Sequence, residues 1–429
     1  MTGTKQLESK LKSIVNEFLA RTDVGKENAN YVRSLPVLEH IIIGYISKWY
    51  FFEEVLRSLP TRILHDEGWI YVHQTHKLSP YCLGLSARDV AEFGLVSNAK
   101  NSRNSKPPKW LDKLFDQCAN LICLVSQECS GAVSLNDIST VAAGYLYVIE
   151  ERLKAKRYTD SEIKNIWQSF IYNVNLPFRT GNSVFTNITL EFGRPDSKLE
   201  NIPVYYNGKA LTDLTYKDIP SEYFDRINKG FIDAMIDGDA IGNPFTFPLI
   251  TVNYDDEFPV DNPIWQYFLR HMSKFGGFYI QNYKRMPFVT HTKWHDYNPY
   301  IKPFQKGMIY SNCCRMTFDI SLVEVVTGSN PFHSGSGTGG VGVFAININR
   351  ILWLCKKDLD KAIKILDYLL EVGQQTLMRK RQWINEHWTD LFPYTSFYQR
   401  TTKSLYNIFS IVGGHEGLIN AGFPDGVFD

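Results

Sequence analysis

The sequence predicts an α/β protein with a helical N-terminal part and a largely parallel core. Two observations carry this. Beyond residue 66, short apolar stretches of strand type alternate with longer stretches of helical period. Before it, the pattern is helical throughout. No internal repeat of 20 to 50 residues interrupts the reading. The economical division is a helical part over 1–65 followed by one large α/β domain over 66–429.

The elements follow in order. "KQLESKLKSIVNEFLA" spaces Leu7, Leu11, Ile14, Val15 and Phe18 along one face of an amphipathic helix. "LEHIIIGYISKWYFFEEVLRSL" is apolar almost all round, which predicts a buried helix. "GWIYVHQTHKLSPYCLGL" reads as a strand and then a loop, and "SNAKNSRNSKPP" as a polar surface loop. Helical periodicity dominates from about 108 to 172. Within it, Cys118 shares a face with Leu114, Leu121, Ile122 and Val125, so Cys118, Cys123 and Cys129 are expected as packing residues. Strands are expected at "VFTNITLEF", "FTFPLITVNY", "GGFYIQNY", "CCRMTFDI" and "GGVGVFAINI", and helices at "SEYFDRINKGFIDAMI" and "LDKAIKILDYLLEVGQQTLMRKRQW".

Composition excludes several function classes. Lysine and arginine number 46 against 45 acidic residues, so no bulk field favours nucleic acid or a membrane surface. No apolar run reaches the roughly 18 residues of a membrane span. "MTGTKQLESKLKS" lacks the apolar core of a secretory leader, and a cytoplasmic location is expected. The seven cysteines are irregularly spaced and contain no CxxC, so neither a disulfide framework nor a zinc site is expected.

Several stretches could carry chemistry. "NLPFRTGNSVFTN" offers Arg179, Gly181 and Asn182 before a strand. "HSGSGTGGVGVFAININR" offers Ser336, Gly337, Thr338, Gly339 and Gly340 leading into one. Turns of this kind can hold phosphate with backbone N–H groups, although most are simply tight turns. Neither fits a P-loop or dinucleotide fingerprint, because a strand follows where a helix is needed. Asn347, polar inside an apolar strand, either fixes a neighbour or faces a ligand. Glu416, after paired glycines in "IVGGHEGL", is either a site carboxylate or a solvated loop residue.

Cys313 and Cys314 are adjacent in "MIYSNCCRMTFDI". They could form a metal half-site or a vicinal disulfide, carry a reactive thiol, or pack as core residues. On an extended chain only one can face a given pocket. Arg315 beside Cys314 favours a thiolate there.

In their order along the chain these stretches resemble the anaerobic (class III) ribonucleoside-triphosphate reductases of the glycyl-radical family. The run starts at "ENAN" (Glu27 to Asn30) and passes through "ILHDEGWIYVH", "LSPYCLGL", "NLPFRTGNSVFTNITLEF", "NPFTFPLITVNY", "GGFYIQNY", "NCCRM" and "TGGVGVFAINI" to "FSIVGGHEGLIN".

The resemblance implies a ten-stranded α/β barrel of two five-stranded half-barrels, with a central finger loop around 308–320. It implies Cys314 as the thiyl-radical cysteine, Cys82 as a second active-site cysteine, Asn347 as an active-site amide and Glu416 as a carboxylate. His415 stands where many members have asparagine. Ribonucleoside triphosphates are the implied substrates, anchored by Arg179, Gly181, Asn182 and the 336–340 turn. Nucleotide effectors, formate or a redoxin as reductant, and a homodimer are implied with them.

The 429 residues hold no zinc-binding cysteine quartet and no R-V-x-G-Y-like radical loop, and leave no room before "ENAN" for an ATP-cone. The glycyl radical and zinc are therefore expected on a separate C-terminal chain acting in trans, with a radical-SAM protein as activator. A nucleotide-binding relative without catalysis is the alternative.

Overall fold

The computed structural model describes residues 2–20, 33–196, 198–273, 276–282, 309–311, 317–319 and 337–428. Three helices come first: α1 (Thr2–Ala20), α2 (Leu35–Tyr50) and α3 (Thr61–Asp66). Then follow β1 (Ile70–Val72), β2 (Leu83–Leu85), α4 (Ala87–Phe93), α5 (Leu111–Glu128), β3 (Val133–Leu135), α6 (Ile138–Tyr147), α7 (Asp160–Asn175) and β4 (Thr186–Leu190). The middle of the chain supplies β5 (Pro203–Tyr206), β6 (Lys209–Thr215), α8 (Ser221–Asp237), β7 (Leu249–Tyr254), α9 (Pro263–Met272) and β8 (Phe278–Asn282). Two short strands, β9 (Ile309–Ser311) and β10 (Thr317–Asp319), precede β11 (Thr338–Asn347). The remainder is α10 (Ile348–Cys355), α11 (Leu359–Glu386), α12 (Trp388–Leu391), α13 (Pro393–Gln399), β12 (Leu405–Val412) and α14 (Gly414–Ala421).

Among the described residues eight strands form one mixed sheet, in the order β1-β11-β2-β3-β4-β7-β8 with β12 also on β11. The run β2-β3-β4-β7-β8 is parallel throughout, as the alternation of strands and helices predicts. β11 departs from that expectation by lying antiparallel to β2. β12 runs parallel to β11, so a second, oppositely directed set of strands begins at the β2–β11 seam.

Local chemistry fixes the helix starts. α7 opens on a capping box in which the Thr159 hydroxyl accepts from the Glu162 N–H while the Glu162 carboxylate accepts from the Thr159 N–H. α5 buries Leu114, Cys118, Leu121, Ile122 and Val125 together, so the expected stripe is its inward face. Cys129 is also buried, whereas Cys123 is only half-buried. Helices α5 to α8 cover the parallel run with one large core, centred on Trp167, whose ring lies 4.5 Å from that of Phe115. A second core joins β1 and β11 to α10 and α11 through Ile70, Val72, Phe344, Ile346, Ile351 and Leu369.

Three expectations change. α2 buries only Val37 and Gly44, and Ile43, Ile46 and Trp49 are more than half exposed. The rest of the same apolar stretch does turn inward, with Phe51, Phe52 and Leu56 buried in the second core described above. The "LSPYCLGL" stretch is not all loop, because it contains β2. The "TGG" residues Thr338, Gly339 and Gly340 lie inside β11, where the Gly340 N–H donates to the Cys82 carbonyl at 2.9 Å. A side chain at Gly339 would place its Cβ 1.9 Å from that carbonyl oxygen. The glycines serve close strand approach.

Candidate active site

The parallel run has two unlike faces. In β4, Ile188 and Leu190 point into the helix-covered core, and the alternate residues Asn187 and Thr189 point away from it. β7 repeats this, with Ile250 and Val252 in the core and Thr251 and Asn253 opposite. The register pairs Thr189 with Thr251, which brings the polar positions of both strands onto one face. Ser134 of β3 joins them beside Asn187, and Gly84 of β2 stands beside Ser134.

These polar groups are all buried, and Asn187, Thr189 and Thr251 are linked to one another and to Asn136. Asn187 Nδ2 donates to Asn136 Oδ1 at 2.7 Å, and Thr189 Oγ1 donates to the same oxygen at 3.0 Å. Thr251 Oγ1 donates to Asn187 Oδ1 at 3.1 Å. Asn253 Nδ2 donates to Glu191 Oε1 at 2.8 Å. Burial and the nearby Asp196 carboxylate push the Glu191 carboxyl up to about 7, against the opposing pull of Arg194. A sheet face of amides, hydroxyls and one buried carboxyl offers the donors and acceptors that orient a hydroxylated ligand.

Cys82 lies at the β2 end of this face, two residues before Gly84, and is buried. It forms no disulfide, and its Sγ accepts from the Ala132 N–H at 3.3 Å. Gly131 makes room for the sulfur, since a Cβ there would stand 2.3 Å from it.

The other expected residues are distributed as follows. Asn347 is the last residue of β11 and the cap of α10: its Oδ1 accepts from the Arg350 N–H at 3.1 Å and its Nδ2 donates to the Gly68 carbonyl at 3.0 Å. At strand rise it lies roughly 20 Å along β11 from Gly340, the residue that pairs with Cys82. Glu416 is exposed in the first turn of α14, near Asn347 and far along the strand from Cys82. The structure therefore does not bring Asn347 or Glu416 to Cys82. Arg179 is buried, donating to the Gly131 carbonyl at 2.7 Å and the Cys129 carbonyl at 3.2 Å. The left-handed residues Thr180 and Gly181 close a tight turn in which Arg179 and Asn182 exchange backbone hydrogen bonds. Gly337 accepts from Gln399, and Thr338 Oγ1 donates to the Ser404 carbonyl at 2.9 Å. Cys313, Cys314 and Ser336 lie outside the described residues. The strands on either side of the cysteine pair, β9 and β10, form an antiparallel pair in register Ser311 to Thr317.

The polar ladder was not anticipated from sequence. Its signal was present: Asn187, Thr189 and Glu191 recur at every second residue between Ile188, Leu190 and Phe192.

The family model for anaerobic ribonucleoside-triphosphate reductase matches residues 27–421. The chain belongs to that family. The fold agrees. The anaerobic ribonucleotide reductase from Thermotoga maritima in complex with dATP and CTP superposes with a TM-score of 0.67 at 18% identity, covering 98% of this chain and 69% of that one. A structure described as an anaerobic ribonucleotide reductase gives 0.67 at 17% identity, with 98% and 62% covered. The Thermotoga maritima enzyme with glycerol in the active site gives 0.60 at 18% identity, with 89% and 59% covered. No curated protein matches the sequence. No helix among the described residues is long and apolar enough to cross a membrane. No three His, Cys, Asp or Glu side chains among them are grouped so as to hold a metal ion.

Proposed function

We propose that this chain is the catalytic part of an anaerobic reductase that converts ribonucleoside triphosphates to 2′-deoxyribonucleoside triphosphates. Family membership gives the reaction class. The observation that carries the residue assignment is the placement of Cys82 at the end of a buried, internally bonded polar face. In this reading the sheet is part of a ten-stranded barrel and the β9–β10 pair carries a finger loop bearing Cys314.

The chemistry follows from sulfur. A thiyl radical on Cys314 takes the ribose 3′-hydrogen, since the S–H and activated C–H bonds are of similar strength. The 2′-hydroxyl then accepts a proton from the Cys82 thiol and leaves as water. Formate, oxidised to carbon dioxide, or a redoxin dithiol, oxidised to a disulfide, supplies the two electrons and the hydrogen that C2′ gains, and a solvent proton restores the Cys82 thiol. Cys314 then returns its hydrogen to C3′ and regains the radical. Enclosure keeps water from the radical, and the Asn187–Thr251–Asn253 ladder holds the ribose. A glycyl-radical chain in trans, activated by a radical-SAM protein, supplies the starting radical. Nucleotide effectors and a homodimer complete the assembly.

The test is anaerobic formation of deoxynucleotide, followed chromatographically, with the activated glycyl-radical partner added. The chain alone should give no product and the reconstituted pair should turn over. Cys314→Ser should abolish turnover, and Cys82→Ser should lower it by about two orders of magnitude or more. Wild-type turnover by Cys314→Ser would refute the assignment. Nucleotide binding without product in every reconstitution would establish a non-catalytic binding protein instead.

A further inference from the structure

The loop between α5 and β3 wraps around Cys82. The Gly131 N–H donates to the Tyr81 carbonyl, and the Leu83 N–H donates to the Ala132 carbonyl at 2.9 Å. Residues 131 and 132 therefore grip the chain on both sides of Cys82. The N–H that remains between these two bonds, that of Ala132, donates to Cys82 Sγ at 3.3 Å. Only glycine fits at 131, because a Cβ there would stand 2.3 Å from the sulfur and 2.6 Å from the Tyr81 carbonyl oxygen.

The other end of the same peptide unit meets a cation. The Gly131 carbonyl, bonded to the Ala132 nitrogen, accepts from Arg179 Nη1 at 2.7 Å, and the Cys129 thiol approaches that oxygen at 3.6 Å. Arg179 is buried and held in place. Its Nη2 donates to the Cys129 carbonyl at 3.2 Å, and its guanidinium lies 5.3 Å from the centre of the Phe185 ring. The other charged groups at this loop are engaged elsewhere. Lys77 donates to the Cys129 carbonyl at 2.7 Å and to the Ser126 carbonyl at 3.4 Å. The Glu128 carboxylate accepts from the Tyr394 and Thr395 N–H groups. Of these three, Arg179 is the one bonded to the 131–132 peptide.

A carbonyl that accepts from a guanidinium polarises its peptide, so the N–H at the other end becomes a stronger donor. The gain is largest when the acceptor carries charge, since hydrogen bonds to ions are roughly twice as strong as neutral ones. Sulfur acquires that charge when a thiol releases its proton.

We infer that Arg179 is a positioning residue for Cys82, stabilising through the Gly131–Ala132 peptide the thiolate left when the thiol gives up its proton. Its place in the reaction rests on the reading of Cys82 as proton donor. The state of the sulfur is measured without turnover, so the two can fail separately.

The S–H infrared band of Cys82, isolated in each protein by subtracting the spectrum of its Cys82→Ala counterpart, is followed as pH is raised over the range in which the chain stays folded. Arg179→Gln should keep the band to a pH about one unit higher than wild type. Lys77→Met removes a neighbouring cation without touching the peptide and should shift the band by less. In the reconstituted assay Arg179→Gln should lower kcat about 10-fold and leave KM within about 2-fold of wild type. Should Arg179→Gln not fold, Arg179→Lys takes its place, and its single ammonium should give a smaller shift in the same direction. A folded Arg179 variant that loses the band at the wild-type pH overturns the inference. So does a shift in Lys77→Met as large as that in the Arg179 variant, or a raised KM at unchanged kcat, which would make Arg179 a substrate anchor. A band shift with no turnover in any reconstitution upholds the role of Arg179 at the sulfur and removes the reductase reading instead.

Discussion

The two parts of the sheet are held in place by different means. In β4 and β7 the face turned from the helices is a ladder of buried side-chain hydrogen bonds that also takes in Asn136, just past β3. At the β2–β11 seam each pair contains a glycine, Gly84 opposite Thr338 and Gly339 opposite Leu83, and backbone approaches backbone there. A ladder distributes its stability over several partly redundant bonds, whereas a glycine seam concentrates it in positions where no side chain fits. The seam should therefore be more brittle than the ladder.

Four substitutions test this, from the largest expected effect to the smallest. Gly339→Val should cost about 4 kcal/mol or more in urea denaturation, because its Cβ would have to displace the Cys82 backbone. A cost near that of a surface change would show that the seam can open without penalty. Asn187→Leu should cost on the order of 2 kcal/mol, since it removes the buried bonds to Asn136 and Thr251 without removing the strand pairing. If it matched Gly339→Val, the ladder and seam would not differ as described.

Glu191→Gln should act through pH. The folded carboxyl titrates above an ordinary glutamate, so the folded chain holds a proton that the unfolded chain has released. Wild-type stability should then be fully present below the ordinary glutamate range and fall as pH rises toward neutral, and the glutamine variant should lack that slope. Parallel stability–pH curves for the two proteins would remove Glu191 as the proton holder. Asn347→Ala should cost about 1 kcal/mol, the usual loss of a helix cap, at the end of β11 away from the seam. In the reconstituted assay it should leave turnover within a few-fold of wild type, which separates a cap from an active-site amide.

The α/β class, the long helices α8 and α11 and the strands β4, β7, β8 and β11 were legible because each carries its period over enough residues. β2 and β3 were not, being three residues each and too short to show a period. The β5–β6 hairpin was overlooked despite Asn207-Gly208, a strong turn signal in which both residues have positive φ. Asn347 was read as a possible ligand-facing amide because a polar residue in an apolar strand must be satisfied. That premise was sound, but its partners, the Gly68 carbonyl and the Arg350 N–H, are visible only in three dimensions.

By itself the sequence determined the class of fold, the order of its long elements and the family, because period and motif order are local properties of the chain. Only the tertiary structure decided that the "TGG" glycines are a strand seam, that α2 is exposed, and that Asn347 and Glu416 stand away from Cys82. It also decided that Cys82, Gly131 and Arg179, distant in sequence, come together, with the Gly131 carbonyl accepting from Arg179 at 2.7 Å. Such facts depend on which surfaces meet. Residue type fixes what a side chain can do, and packing fixes what it has to do it with.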